Sequence, residues 1–449
     1  MTPPQNPIYH SWVFRILCVL NRMFFKVFFF KVFFFSKEVL YMGVILTPHQ
    51  NEAIEKIIRH KKDWEPFMLG GCAGTGKTTL LYALAEYYKD ELIMLAPTGK
   101  ACQVLSRKMP TGTLIKTVHS ALYSVREISD EELEEARKIA DESGEDQDIV
   151  RYTYLLEAKN NLGIEFTYSP CPELFSRVVV IDESSMLGYK EFKALKQICK
   201  KLILVGDPFQ LQPVKSAQVL PSNPSDFDAF LSEVHRAALE SPITRLATEI
   251  RMGGFKGWEY WKNEGIGFSY GLPKEEYAIA DQVITGQNST RMKLNRWLRE
   301  EKNQVFPVVG DKIIVKQNIR ESVSKRYNKL ILVNGDIGSV VGSCKSQNKI
   351  TLYFDYKEDG DTHHTIKVND SLLRAAFELP ENNKPKWGSI VVDFAYAITA
   401  HASQGSEWPY VIIFDDEMRK SDIQNRKHWM YTSITRAKEK VHIVKPRNK

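Results

Sequence analysis

The stretch Gly71-Cys72-Ala73-Gly74-Thr75-Gly76-Lys77-Thr78, with Thr79 behind it, has residue types and spacing suited to holding a triphosphate. Its glycines let backbone N–H groups wrap phosphate oxygens, Lys77 can reach the β and γ oxygens, and Thr78 can place a hydroxyl on Mg²⁺ at a helix N-terminus. Further along, Asp182 and Glu183 supply what hydrolysis then needs. Asp182 can anchor the metal through water, and Glu183 can orient and deprotonate the attacking water. In the run Gly206-Asp207-Pro208-Phe209-Gln210, the Gln210 amide can touch the γ-phosphate or that water. A turn with Gln210 on its solvated edge is the alternative for this segment.

Such groups need strands to deliver them. Residues 66–70 (PFMLG) predict a short buried strand that runs into the glycine loop and then into a helix, TLLYALAEYYK. VVVI at 178–181 and KLILVGD at 201–207 have the continuous apolar character of strands covered on both faces of a parallel sheet, and they deliver the acid pair and the Gln210 segment. FAYAITAHA, read alone, is a buried strand and turn, and His119 and His401 taken singly read as satisfied structural histidines.

A chain of 449 residues is too long for one core, so two principal domains are expected. The net charge of +6 permits one groove for a polyanion and does not suit a lysine-coated binder. Six cysteines (Cys18, Cys72, Cys102, Cys171, Cys199, Cys344) form no C-x-x-C pair, which argues against a zinc ribbon, an iron–sulfur site or a disulfide framework and for a reducing cytoplasm. Nine of the 23 phenylalanines fall in residues 1–41, where Arg15, Arg22, Lys26 and Lys31 interrupt every apolar run before a membrane span is reached. Lys37-Glu38-Val39 can be encoded by a ribosome-binding sequence, so translation is expected to begin at Met42; a disordered or membrane-surface tail is the alternative.

From Leu46 onward the chain resembles superfamily 1 helicases of the RecD/Dda-like branch, superfamily 1B, found in bacteria and bacteriophages. The motifs come in family order: LTPHQNEAI, the glycine loop, LAPTGKA (95–101), TVHSAL (117–122), the DE pair, LSEVHR, VITGQNSTRMKLN (283–295), LVNGDIGSV (332–340), YAITAHASQGSEW (396–408) and YTSITRA (431–437). The resemblance implies that Gln50 reads adenine and that Gly405 belongs to the ATP site. It further implies that Arg236 and Arg436 reach the γ-phosphate, and that Pro97, Thr98, His119, His401, Ser403 and Gln404 contact the single strand. Ala402 stands where the family often has lysine.

The implied fold is α/β, two RecA-like P-loop NTPase domains with parallel sheets flanked by helices. Domain 1 is expected at 42–233, with an insertion at about 120–172 whose charged run DEELEEARKIADESGEDQD is read as one solvated surface helix and whose EFTYSP is assigned to a small hairpin. Domain 2 is expected at 234–449, with an SH3-like β-rich insertion at about 306–383. The implied activity is ATP- and Mg²⁺-dependent 5′→3′ translocation on single-stranded DNA with duplex unwinding, in replication, recombination or repair. A translocase that displaces proteins with little unwinding and an RNA-directed motor are the alternatives. Single-stranded and forked DNA are the expected partners, with a single-strand-binding protein beside them. A monomer without membrane attachment, in the cytoplasm of a bacterium or a phage-infected host, is expected.

Overall fold

The structure is a computed structural model that describes residues 40–41, 44–60, 64–161, 164–213, 216–234, 240–299, 306–316, 318–324, 327–344, 349–354, 362–367, 392–416 and 423–446. Residues 1–39, on which the expectation about the translation start rests, lie outside these.

The first domain opens with helix α1 (Pro48–Arg59). Thr47 caps it by accepting from the Gln50 N–H, and Gln50 returns the bond to the Thr47 N–H, a reciprocal capping box that fixes the helix start. Strand β1 (Phe67–Gly71), helix α2 (Lys77–Tyr88), strand β2 (Leu92–Ala96), helix α3 (Gly99–Lys108), strand β3 (Leu114–Thr117) and helix α4 (Val118–Leu122) follow. Strands β4 (Tyr123–Glu127) and β5 (Ile164–Tyr168) pair antiparallel as a hairpin, with helices α5 (Asp130–Ser143) and α6 (Asp146–Asn161) between them. The expected single charged helix is therefore two: Gly144, at φ +63°, takes the left-handed conformation that ends α5, and the chain turns back into α6. Glu165 of β5 accepts from Arg151 of α6 at 2.5 Å, which ties that helix to the hairpin.

Strands β6 (Val178–Ile181), β7 (Lys201–Gly206) and β8 (Ala229–Leu231) complete the main sheet, with helix α7 (Tyr189–Ile198) between β6 and β7. Its order is β8-β1-β7-β6-β2-β3, all parallel. The sequence accounts for this: all five residues of β2 are buried, as a strand with helices on both faces requires. One core lies on each face, Leu80, Leu84 and Ile57 on one side and Val179, Leu195 and Leu204 on the other. Each such fully buried aliphatic side chain contributes about 1.5–3 kcal/mol.

The second domain begins with helix α8 (Pro242–Met252), strand β9 (Gly267–Tyr270), strand β10 (Gln282–Thr285) and helix α9 (Asn288–Arg299). A β-rich segment interrupts it: β11 (Lys312–Val315), the hairpin β12 (Ile319–Ser324) and β13 (Tyr327–Leu332), then β14 (Ile337–Cys344), β15 (Lys349–Phe354), β16 (Thr362–Lys367) and β17 (Val392–Phe394). Among the described residues the hairpin pairs only with itself, and the other five strands form an antiparallel sheet in the order β16-β15-β14-β11-β17. Its last strand lies past the expected insertion boundary because β11 pairs through Ile313 with Phe394 and through Val315 with Val392.

Strand β18 (Ala397–Thr399), helix α10 (Ala400–Ser403), strand β19 (Trp408–Phe414), helix α11 (Ile423–Ile434) and strand β20 (Ala437–Lys445) return the chain to a second parallel sheet, ordered β9-β20-β19-β10-β18. The molecule is thus an α/β protein with two parallel sheets flanked by helices. Among the described residues no helix is long and apolar enough to cross a membrane.

Candidate functional site

The glycine loop leaves the carboxyl end of β1 and closes on the first turn of α2. Gly74 and Gly76 lie at φ +76° and +77°, so the loop needs glycine at both positions. Lys77 donates through Nζ to the carbonyls of Gly71 at 2.7 Å and Cys72 at 2.9 Å, which folds its ammonium back over the loop. Thr75 Oγ1 donates to the Cys72 carbonyl at 2.9 Å and is buried. Gln50, expected to meet adenine, is 1% exposed: its Oε1 accepts from Thr47, and its Nε2 donates to the carbonyls of Thr75 at 3.3 Å and Gly76 at 3.2 Å. The capping box of α1 draws this amide inward, so Gln50 bears on the site through the backbone of the glycine loop.

Asp182 and Glu183 leave the end of β6, one strand beyond β7 from the glycine loop. Burial and the adjacent Glu183 carboxylate push the Asp182 carboxyl well above its usual range, while Lys77 and Lys108 pull it down, which puts the Lys77 ammonium and the acid pair in one electrostatic site. Glu183 sits at φ +50°, an uncommon conformation for a side-chain-bearing residue, and its Oε2 is buried with no hydrogen-bond partner. A strained backbone that carries an unsatisfied carboxylate oxygen marks a group poised for a ligand. Thr78 and Asp182 each offer oxygen donors, the ligand type Mg²⁺ takes together with substrate phosphates, so their chemistry fits that ion.

Between these strands β7 delivers Asp207 and the Pro208–Leu211 loop. Gln210 is 4% exposed and its Oε1 lacks a partner, so it is a buried amide and not the rim of a solvated turn. The loop is held by the second domain: Leu211 N–H donates to Thr432 Oγ1 at 2.9 Å, and Gln404 Nε2 donates to the Leu211 carbonyl at 3.1 Å. Arg251 of α8 lies over the Phe209 ring at 4.9 Å, and its charge is felt at Cys72 of the glycine loop. Arg436 is 5% exposed and donates to the carbonyls of Thr432 at 3.1 Å and Ser406 at 3.3 Å, which holds its guanidinium at the end of α11. Arg236 lies outside the described residues.

The residues expected to hold a single strand divide. Pro97 and Thr98 follow β2 half-buried, and the Thr98 hydroxyl caps α3 by accepting from Ala101 at 3.1 Å. His119 packs on Tyr123 and Phe166, with ring centroids 4.7 and 4.5 Å away, and burial among them lowers its imidazole below the usual value against the pull of Glu191. Phe166 and Tyr168 remain 36% and 50% exposed on the hairpin. His401 is half-buried, and burial lowers it too. Ser403, at 0% exposure, donates to the Ala400 carbonyl, and Gln404 is 4% exposed. Gln404 joins the two domains through the Leu211 carbonyl, Ser403 is bonded within its own short helix, and neither presents an open surface to a strand. Gly405, expected at ATP, sits at φ +75° with Ala101 3.5 Å from where a Cβ would stand, so it permits close approach to the start of α3.

Sequence reasoning missed Tyr431, Asp207 and Arg251 as site residues. Asp207 and Tyr431 both stand inside segments singled out above, but nothing local says that they meet.

A family model described as an AAA domain matches residues 45–266, and one described as a UvrD-like helicase C-terminal domain matches residues 394–444. The RecBCD enzyme subunit RecD of Mycolicibacterium smegmatis is 24% identical over 420 residues, covering 84% of this chain and 68% of that protein. The ATP-dependent RecD2 DNA helicase of Deinococcus radiodurans is 23% identical over 423 residues, covering 88% of this chain and 48% of that protein. The chain spans from 37% to 68% of the length of the curated relatives it matches. Among solved structures, Pif1 helicase from Bacteroides in complex with ADP-AlF3 and single-stranded DNA is 16% identical with a TM-score of 0.49, covering 89% of this chain and 92% of that chain.

Proposed function

We propose, from the premise that the chain belongs to the superfamily 1B helicases, that it is an ATP-driven motor that moves 5′→3′ along single-stranded DNA and unwinds duplex ahead of it. The observation that carries this reading is the nucleotide cleft itself. A glycine loop and an acid pair stand at the carboxyl edge of one parallel sheet, and from the second domain Tyr431 of α11 bonds the Ala73 amide of that loop while Arg251 of α8 lies over Phe209. A cleft built this way gives ATP one binding wall and one movable wall.

The glycine-loop amides and Lys77 hold the triphosphate, with Lys77 exchanging its two loop carbonyls for phosphate oxygens. Thr78 and Asp182 would hold Mg²⁺, which neutralises phosphate charge when bound. Glu183 takes the proton of the attacking water through its unpartnered Oε2, and Gln210 orients that water. Arg236 and Arg436 stabilise the charge that grows as the terminal phosphoryl group leaves. Pro97, Thr98, His119 and the hairpin aromatics on one domain, with His401 on the other, grip the strand, and base stacking makes that grip tolerant of sequence. The motor works on single-stranded and forked DNA as a monomer beside a single-strand-binding protein, in the cytoplasm of a bacterium or phage-infected host.

Duplexes with a 5′ or a 3′ single-stranded tail test the direction. The reading expects ATP-dependent separation with the 5′ tail, and a preference for the 3′ tail would reject it. Matched RNA strands should stimulate ATP hydrolysis less than DNA.

A further inference from the structure

A hydroxyl of the second domain reaches the glycine loop. Tyr431 of α11 is 2% exposed; its Oη accepts from the Ala73 N–H at 2.9 Å and donates to Asp207 Oδ2 at 2.6 Å. Asp207 is fully buried, and its other oxygen accepts from the Phe209 N–H at 3.0 Å. Ala73 and Phe209 pack against the core of the second domain, where Leu211 is itself a member. Burial and the neighbouring Asp207 push the Tyr431 phenol well above its usual range, so it stays a neutral hydroxyl able to donate.

We propose that Tyr431 is a positioning residue that couples nucleotide binding to the DNA grip, because its hydroxyl joins the glycine loop to Asp207 only when the two domains are closed. Opening the cleft hands the Ala73 amide and the Asp207 carboxylate to water. Closing it without the hydroxyl leaves a buried acceptor and its neighbouring donor unpaired, a cost borne by the closed state alone. Every ligand that favours closure is then linked through this bond to every other. The inference rests on the motor reading given above, and it adds a residue that touches neither phosphate nor DNA.

The test measures the affinity of a fluorescent oligothymidylate with and without a non-hydrolysable ATP analogue and Mg²⁺. For the wild type the two affinities should differ. In Tyr431→Phe their ratio should shrink by about tenfold, or collapse to one, the order expected for leaving buried partners unpaired. Asp207→Ala removes the acceptor from the other side and should give the same loss, and the double variant should lose no more than either single one, since hydroxyl and carboxylate act as a unit. A purely structural role moves both affinities together and lowers the melting temperature while the ratio keeps its wild-type value; that result overturns the inference and leaves the motor reading standing. A wild-type protein whose DNA affinity ignores nucleotide, and whose ATP hydrolysis ignores DNA, overturns the motor reading and the inference with it.

Discussion

Asp311 is a buried anchor of the β-rich segment, and the cost of its removal can be estimated from its surroundings. It is fully buried and accepts from Arg299 Nε at 3.1 and 3.0 Å, from the Val308 N–H at 2.8 Å and from the Tyr396 hydroxyl at 2.8 Å. Arg299 is 4% exposed, lies over the Phe394 ring at 4.1 Å and donates to the Phe306 carbonyl at 2.9 Å. The cluster therefore joins the end of α9, the start of β11 and the β17–β18 corner. Asp311→Ala takes a buried carboxylate away from the Arg299 guanidinium, the Val308 amide and the Tyr396 hydroxyl. Breaking one side of such a pair costs about 3–5 kcal/mol. Replacing both partners, as Asp311→Leu with Arg299→Met, should cost clearly less, because no charge is then stranded. Urea unfolding followed by fluorescence, with hydrogen exchange at Ile313 and Ile314, measures both. An Asp311→Ala variant within about 0.5 kcal/mol of wild type, the range of ordinary surface changes, would refute the reasoning.

The remaining expectations concern the nucleotide site and pH. Lys77→Ala should lower ATP turnover by about 10²–10³ through loss of an oriented charge, with the melting temperature near wild type; normal turnover removes the site assignment. Glu183→Gln should lose about 10²–10⁴ in turnover while it still binds ATP, since it gives up the base and keeps the metal anchor; equal loss of ATP binding in both variants contradicts the division of roles. His119, His401 and His442 are each lowered below 6.5 mainly by burial, so the unfolded chain takes up protons first as pH falls. Their stabilisation is complete above about pH 6.5 and is lost as pH drops from there through the folded-state values. Melting temperature measured across that window should fall, and His401→Gln with His442→Gln should flatten the slope; an unchanged slope assigns it elsewhere.

What the sequence reveals follows the range of the physics involved. The glycine loop, the strand that ends in Asp182-Glu183 and the strand ahead of Asp207 are local, because a glycine at positive φ or an apolar run covered on both faces leaves its mark within a few residues. The break at Gly144 was equally local but was masked by charges that continue on both sides of it. Gln50, Ser403 and Gln404 stand in polar segments that look solvent-facing, and their burial depends on what the tertiary fold lays across them. The Tyr431–Asp207 bond joins residues 224 positions apart, so no window of sequence contains it. The fifth strand of the β-rich sheet was missed for the same reason, since β17 is only three residues long and owes its place to β11.

Strand separation of a forked DNA duplex by the purified chain, with ATP and Mg²⁺ supplied, tests directly whether the cleft drives unwinding. Unwinding should require hydrolysable ATP, be abolished in Lys77→Ala and in Glu183→Gln, and proceed alongside DNA-stimulated phosphate release. Robust DNA-stimulated hydrolysis with the fork left intact would contradict the unwinding claim and leave a strand-tracking motor. Unwinding that survives Lys77→Ala would contradict the cleft as its engine.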